Sequence, residues 1–375
     1  MLQFRRITTQ KRFIPQIDGL RFVAIASVVL FHVYDALEGR AAVRPPVLID
    51  SDLPKRGVEL FFVISGFILG VPFASHHLRN AAPVGLKQYF LRRVTRLEPP
   101  YFLSFPVWAF MQWVSAHRGF SDMAPHLLAS CFYMHNLVFG AFARPVNAVA
   151  WSLEIEIQFY ILVPVLSLLF LIGNDWVRRG VILGVMASAG ILTNPLYVIG
   201  RIRYSIIYYL AFFLAGFLLC DFYLKRGEWK RSFLWDILAI GLWPLVWYPG
   251  ARNAAHLLLP FVIVVLYLAA FRGRICSAFF SHPLITDIGG MCYSIYLFHF
   301  PVIYGVKRIT AYWHIGHNFW AFFALQCLII LPAVALFCGA FFLMIERPCM
   351  DREWPRKVWQ RFRATMLFAR PSPAP

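Results

Sequence analysis

An all-α fold, a polytopic membrane bundle of about ten transmembrane helices with both termini cytoplasmic, is what this sequence predicts. Composition is the first reason: of 375 residues 60% are hydrophobic and 17% aromatic, only 14% are charged, and mean hydropathy is +0.63. Such values belong to membrane-embedded chains rather than soluble ones. Pattern is the second reason, because apolar runs long enough to cross a bilayer as helices recur along nearly the whole chain. Charge is the third. A formal net charge of +18 suggests nucleic acid at first sight. The basic residues are spread over short loops between apolar runs, however, which is the distribution that topology requires. No nucleic-acid partner is expected.

In chain order the apolar runs fall near residues 14–37, 57–77, 97–117, 150–172, 181–194, 204–224, 233–250, 254–271, 288–306 and 318–345. The fifth is the shortest. Between the third and fourth, residues 118–149 include the partly apolar CFYMHNLVFGAFARPVNAVA (continuing to Ala150), whose Pro and Gly suit a re-entrant or interfacial loop. Leaving Arg21 aside, alternate sides of this ten-span arrangement collect 24 and 11 Lys/Arg. The excess lies on the side of both termini and predicts that side to be cytoplasmic. Arg5, Arg6, Lys11 and Arg12 precede the first run, which is too long for the apolar part of a cleaved signal and is expected to stay as a span. The basic segment 349–375 reads as a cytoplasmic tail whose last residues, RPSPAP, are expected to be disordered. Seven cysteines show no metal-ligand spacing and read as buried thiols rather than a disulfide framework.

Several polar groups interrupt the apolar runs. RFVAIASVVLFH sets Arg21 and His32 eleven residues apart, almost a whole number of helical turns, so the two share one face roughly 16 Å apart. Ionisable residues within spans are costly and usually face a cavity. Asp18, one turn before Arg21, can pair with it. GVELFFVISGFILG places Glu59 at the start of the second span, with Ser65 and Gly66 as a small pair suited to close helix approach. In FLRRVTRLEPPYF, Arg93 and Arg96 stand one turn apart on the cytoplasmic side, spaced either to clamp a phosphate or to anchor the span.

WSLEIEIQFY aligns Ser152, Glu156 and Tyr160, with Glu154 and Gln158 pointing elsewhere. A carboxylate there can serve a structural hydrogen-bond network, or orient an imidazole for general acid–base chemistry. YSIYLFHFPV sets Tyr296 and His299 on one side of the ninth span, where a structural role for His299 is the commoner outcome. Glu346 is expected to partner a basic residue at a helix end. His76, His77, His314 and His317 form no ligand pattern, and no metal site is expected.

Taken together, IDGLRFVAIASVVLFH, GVELFFVISGF, FLRRVTR, WSLEIEIQFY, YSIYLFHFPV and the closing ERP occur in the order seen in the integral-membrane acyltransferase-3 family of carbohydrate O-acyltransferases, which the chain resembles over residues 14 to 348. The resemblance implies a bacterial inner-membrane enzyme whose transmembrane domain occupies residues 1–348. It implies transfer of an acyl group, commonly acetyl, from cytoplasmic acyl-CoA to a hydroxyl of a glycan, glycolipid or related secreted acceptor. Acetyl-CoA would be a co-substrate, with no bound cofactor, and membrane lipid the surroundings. The family's R-x10-H motif falls on Arg21 and His32, its paired arginines on Arg93 and Arg96, and its WSL-x-x-E motif on Trp151, Ser152 and Glu156. The resemblance ties His32 to chemistry and Arg93 and Arg96 to the CoA phosphates. Glu59 stands where aspartate is commoner and Glu98 where an aromatic is frequent. The sequence shows no soluble esterase-like domain after the membrane part, so transfer is expected to finish in the membrane domain or pass to a separate protein.

The expected mechanism has Arg93, Arg96 and Arg21 hold the donor. His32 then acts as general base or as covalent acyl carrier, oriented by Glu156, with Asp18, Ser152 and His299 in support. A transporter or flippase of an envelope glycan or lipid-linked precursor is the competing class, because intramembrane charges also line substrate pathways. A catalytically silent partner in an envelope assembly is a third. The acceptor, the acyl length and the oligomeric state are not legible in the sequence.

Overall fold

The structure is a computed structural model, describing residues 4–7, 13–38, 53–193, 200–225, 229–248, 252–310, 312–313, 318–351 and 353–360. His314, His317, Lys11, Arg12 and most of the 349–375 tail lie outside the described residues. Among the described residues the chain is helical throughout, with no strands. The principal helices are α1 (Pro15–Glu38), α2 (Leu53–Arg79), α3 (Leu86–Ala116), α4 (Phe120–Cys131), α5 (His135–Val138), α6 (Trp151–Leu166), α7 (Asp175–Leu192), α8 (Ile206–Leu224), α9 (Phe233–Val246), α10 (Arg252–Arg272), α11 (Arg274–Phe280), α12 (Pro283–Gly290), α13 (Cys292–Thr310) and α14 (Phe319–Phe341).

Among the described residues, five helical segments are long and apolar enough to cross a membrane: Pro15–Glu38, Lys55–Arg79, Trp151–Leu171, Gly200–Leu224 and Phe319–Cys349. A sixth arises if α10 and α11, bent by 88° at their junction, count as one broken span. Side chains such as Ile161, Val165, Leu192, Ile240, Leu328 and Leu336 are exposed. A chain built for lipid leaves such residues outside without cost, because hydrocarbon surrounds them.

Several boundaries differ from the apolar runs for physical reasons. The third run starts eleven residues early, as α3 carries the polar LKQYFLRRVTR segment in helix before the apolar part. The ninth run is broken at Met291, between α12 and α13. The turn between α10 and α11 is held by Asp236 of α9, whose two carboxylate oxygens accept the backbone N–H groups of Arg274 and Cys276, each at 2.9 Å. A carboxylate at a helix N-terminus satisfies amides that have no partner within the helix. Residues 118–149 form α4, the single turn of α5 and a series of turns. Glu154 ties this segment to α6, accepting the N–H of Asn136 at 2.8 Å, while the Asn136 amide donates to the carbonyl of Trp151.

Two hydrophobic cores flank α1. Ile17, Leu20 and Ala24 pack with α2, α6, α8 and α10. Ile25, Val29 and Val33 pack with α3, α13 and α14. The first core rests on the crossing of α2 and α8, where a methyl group on Gly66 would overlap the Phe213 carbonyl and one on Gly216 would overlap the Val63 carbonyl. Small residues at a crossing let backbones approach to where dispersion contacts are densest. Phe213 fills the space beside it, stacked on Phe159 at 4.0 Å between centroids and tilted on Phe62 at 4.7 Å.

One charge counted in the sequence as a loop cation is not at a surface. Arg178 is fully buried and pairs with Asp221 and, at 2.7 Å, with Asp175; Arg179 reaches Asp221 at 2.5 Å. This ion cluster joins α7 to α8.

Three stability outcomes follow. Gly216→Leu forces the α2–α8 crossing apart and lowers the detergent-solubilised melting temperature by the equivalent of at least about 1–3 kcal/mol. Gly184→Leu, where nothing lies within 4 Å of the added Cβ, stays within about 0.5 kcal/mol of the parent. Asp221→Asn leaves the buried Arg178 and the half-buried Arg179 poorly compensated, and thermal unfolding then shows a loss of about 3–5 kcal/mol.

Candidate active site

The helical phase of α1 brings its polar residues to one side. Arg21, Val28, His32 and Asp35 recur at intervals of seven, four and three, the spacing of one helix face. Two cavities open along that face. The first, of about 120 Å³, is lined by Arg21, Arg93, Arg96, Ser65, Glu156 and Tyr160 among others. The second, of about 380 Å³, is lined by His32, Asp35, Glu38, Lys55, Trp151 and Phe300 among others. Val28, Val58, Ser152 and Tyr296 line both. At that shared wall the hydroxyls of Ser152 and Tyr296 lie 3.1 Å apart, and the Tyr296 hydroxyl donates to the carbonyl of Val149.

The first cavity is cationic. Asp18 pairs with Arg21 at 2.5 Å, as the one-turn spacing predicts, and at 3.1 Å with Arg6, which precedes α1. Arg93 lies beside the rings of Tyr89 and Tyr160, at 5.7 and 5.5 Å from their centroids, and its buried Nε has no hydrogen-bond partner. Arg96 interacts electrostatically with Arg6, Glu346 and Arg93. Four guanidiniums, Arg6, Arg21, Arg93 and Arg96, against the carboxylates of Asp18, Glu156 and Glu346 leave a small positive excess for an anionic ligand. Arg92, by contrast, is exposed.

Glu156 belongs to this first cavity. Its Oε1 accepts from the Ser65 and Tyr160 hydroxyls, each at 2.6 Å. This corrects two expectations. Ser65 is a polar partner of Glu156 rather than only a packing residue. The expected Glu156–His32 pairing is replaced by two separate contacts, because α6 turns Glu156 toward α2 on the arginine side of Ser152 and Tyr296.

The side-chain partner of His32 is His299, and the Val28 backbone one turn earlier also bonds the His32 ring. His299 Nε2 lies 3.0 Å from His32 Nδ1, and His299 Nδ1 lies 2.8 and 2.9 Å from the carbonyls of Ile295 and Tyr296. Phe31 and Phe300 meet the His32 ring edge-on, with centroids 5.6 and 5.5 Å away. His299 is fully buried, whereas His32 is half-buried and faces the second cavity. Glu346, expected to partner a basic residue, interacts electrostatically with Arg96 and Arg6 and in addition accepts from the Ser294 amide at 2.9 Å and the Ser294 hydroxyl at 2.5 Å at the start of α13. It thereby fixes the helix that carries Tyr296 and His299.

The sequence reading did not single out Asp35, Glu38, Lys55 or Phe300 as lining residues. Asp35 was findable, one turn beyond His32 on the same face. Lys55 and Phe300 come from other helices, and only the packing places them here. Among the described residues no cluster of three or more His, Cys, Asp or Glu side chains is arranged to hold a metal ion.

Comparisons with known proteins identify relatives of the chain. The peptidoglycan O-acetyltransferase OatA of Listeria monocytogenes is 25% identical over 336 residues, covering 78% of this chain and 50% of that protein. The O-acetyltransferase OatA of Staphylococcus aureus is 25% identical over 321 residues, covering 78% and 51%. The chain thus spans about half the length of these curated relatives. No solved structure matches it. A family model described as an acyltransferase domain matches residues 14–342, which contain both cavities, and the chain therefore belongs to the integral-membrane acyltransferase-3 family.

Proposed function

We propose that this protein is a multi-pass bacterial inner-membrane O-acyltransferase, with ten spans and cytoplasmic termini, that moves an acyl group, acetyl by preference, from acyl-CoA to a hydroxyl of a cell-envelope glycan or glycolipid. The observation that carries the reading is the pair of adjoining cavities, one rimmed by arginines and the other by His32, meeting at Ser152 and Tyr296. The relatives' names supply the acyl group and a glycan acceptor, peptidoglycan in one case.

In this mechanism the CoA phosphates sit against Arg93, Arg96 and Arg21, where guanidinium forks suit phosphate oxygens. The pantetheine arm follows the α1 face past Val28 and brings the thioester to the wall formed by Ser152 and Tyr296. Acceptor occupies the second cavity, where Asp35 and Glu38 accept hydrogen bonds from hydroxyls and the rings of Trp151 and Phe300 give apolar surface. His32 removes the acceptor hydroxyl proton as oxygen attacks the thioester carbon, the C–S bond breaks, and the proton passes to the departing thiolate. Equivalently, the ring itself takes the acyl group first and hands it to the hydroxyl. Both routes begin with neutral imidazole, since only that form has a free lone pair. Glu156 acts on the donor side: with Ser65 and Tyr160 it sets the floor on which the thioester arm lies.

The test is release of free CoA from acetyl-CoA by the purified protein in lipid nanodiscs, supplied with an envelope glycan acceptor. A transporter moves its substrate without consuming acyl-CoA, so absence of acceptor-dependent CoA release rejects the reading. His32→Ala lowers turnover by about 100-fold or more while melting like the parent. Full activity in that variant rules out the assignment. Arg93→Ala and Arg96→Ala each raise the donor KM by about 10-fold or more, the loss of one charge-assisted hydrogen bond, with a smaller fall in kcat at saturating donor. Steady-state kinetics giving the reverse split would remove the arginines from donor binding.

A further inference from the structure

The hydrogen bonds around His299 determine more than its position. Backbone carbonyls can only accept, so the contacts from His299 Nδ1 to the carbonyls of Ile295 and Tyr296 put that ring's hydrogen on Nδ1. In the neutral ring Nε2 is then a bare lone pair. Across the 3.0 Å contact this lone pair can only receive, so His32 must donate its own Nδ1–H. The hydrogen of neutral His32 is thereby assigned to Nδ1, and its Nε2 is left with the lone pair at the second cavity. The two carbonyls that start this chain belong to α13, the helix that also supplies Tyr296 to the wall between the cavities.

We propose that His299 is the positioning residue of the reaction: it holds His32 in the Nδ1–H tautomer, so that Nε2 alone takes the acceptor proton or the acyl group. This rests on the function proposed above and replaces the role that a carboxylate plays beside a catalytic imidazole elsewhere. The balance is the same by either route. In direct transfer, the hydroxyl proton moves to His32 Nε2, the O–C bond forms and the C–S bond breaks. The ring is then an imidazolium whose Nδ1–H remains shared with His299 Nε2 until Nε2 returns its proton to the thiolate. In covalent transfer, Nε2 forms the N–C bond as the C–S bond breaks, and the positive charge of the acylated ring is stabilised through the same Nδ1–H; the acceptor oxygen then forms the O–C bond as the N–C bond breaks, and the hydroxyl proton passes to the thiolate. A neutral acceptor also differs from a carboxylate in an important respect: it orients the ring without adding a second buried charge to the spans, where each charge is costly.

The experiment uses the full chain in nanodiscs, labelled with 15N-histidine, and two substitutions. His299→Gln places an amide oxygen near the original Nε2 and keeps an acceptor for His32 Nδ1–H; His299→Leu fills the space without one. The expected result is a His32 Nδ1–H, Nε2-bare nitrogen pattern in the parent and in His299→Gln, lost in His299→Leu. Turnover should fall about 100-fold or more in the Leu variant and less than about 10-fold in the Gln variant, with the donor KM unchanged in both. A bare Nδ1 on His32 in the parent would overturn the proposal, as would equal loss in the two variants or full activity in His299→Leu. Acceptor-dependent CoA release by the parent, together with equal loss in both variants, removes only the role of His299. Full activity in His32→Ala removes the wider function and this proposal with it.

Discussion

Everything polar in this molecule answers to one constraint, that an ionisable side chain placed within hydrocarbon must find a partner or face a cavity. Arg178 satisfies it in the first way, buried and paired with Asp221 and Asp175, with the Ile172 carbonyl taking a further N–H. The arginines beside α1 satisfy it only partly. Asp18 is one carboxylate shared by Arg21 and Arg6, Arg93 leans on the faces of two tyrosines, and Arg96 lies within reach of Glu346 and of other cations. The contrast distinguishes charges that hold helices together from charges that hold something else. An ion cluster built only for stability would be replaceable by well-packed apolar side chains, whereas an excess of guanidiniums around a cavity has no structural advantage over one.

The same constraint explains why α1 stands between two cores rather than inside one. Its apolar faces, Ile17 to Ala24 on one side and Ile25 to Val33 on the other, pack against separate helix groups. The strip between them is free to carry Arg21, His32 and Asp35. A helix buried on all sides could not line a cavity, and a lipid-facing one could not keep polar heads away from hydrocarbon. Close approach of α2 and α8 through Gly66 and Gly216 keeps the first core compact, so that Ser65, next to Gly66, reaches Glu156 on α6.

Much of this was legible in the sequence because it is local. The eleven-residue interval fixes a shared helix face whatever the rest of the chain does, and Asp18 beside Arg21 is a one-turn contact. The apolar runs locate helices for the same reason. Contacts between distant segments were not legible: the pairing of His32 with His299 joins α1 to α13, and that of Glu156 with Ser65 joins α6 to α2. The sequence suggested a carboxylate for His32 because Glu156 was the nearest costly acid by type. Nothing in the spacing of one helix reports the rotation of another. The break between α10 and α11 was hidden likewise, since the Asp236 that holds it sits within an apolar run of a different helix and looks like one more intramembrane acid. Boundaries shifted where polar residues such as those of LKQYFLRRVTR continue a helix beyond its apolar part.

The two cavities also bear on direction. If the arginines hold a nucleotide carrier and the histidine pair a hydroxyl, the donor and acceptor never need to share a chamber, and the wall shared by Val28, Val58, Ser152 and Tyr296 is where their reactive ends meet. The Tyr296 hydroxyl is anchored to the Val149 carbonyl, and the Tyr296 backbone carbonyl is one of the two that orient His299. One residue of α13 therefore contributes its side chain to the boundary between the chambers and its backbone to the ring that polarises His32. A displacement of α13 that opened the wall would at the same time alter the hydrogen-bond chain behind the base. On the proposed function, passage between the chambers and competence of the base would be coupled through one helix turn, with Glu346 holding the start of that helix through Ser294. Such coupling favours a site in which the barrier to leakage and the barrier to chemistry are governed by the same few contacts.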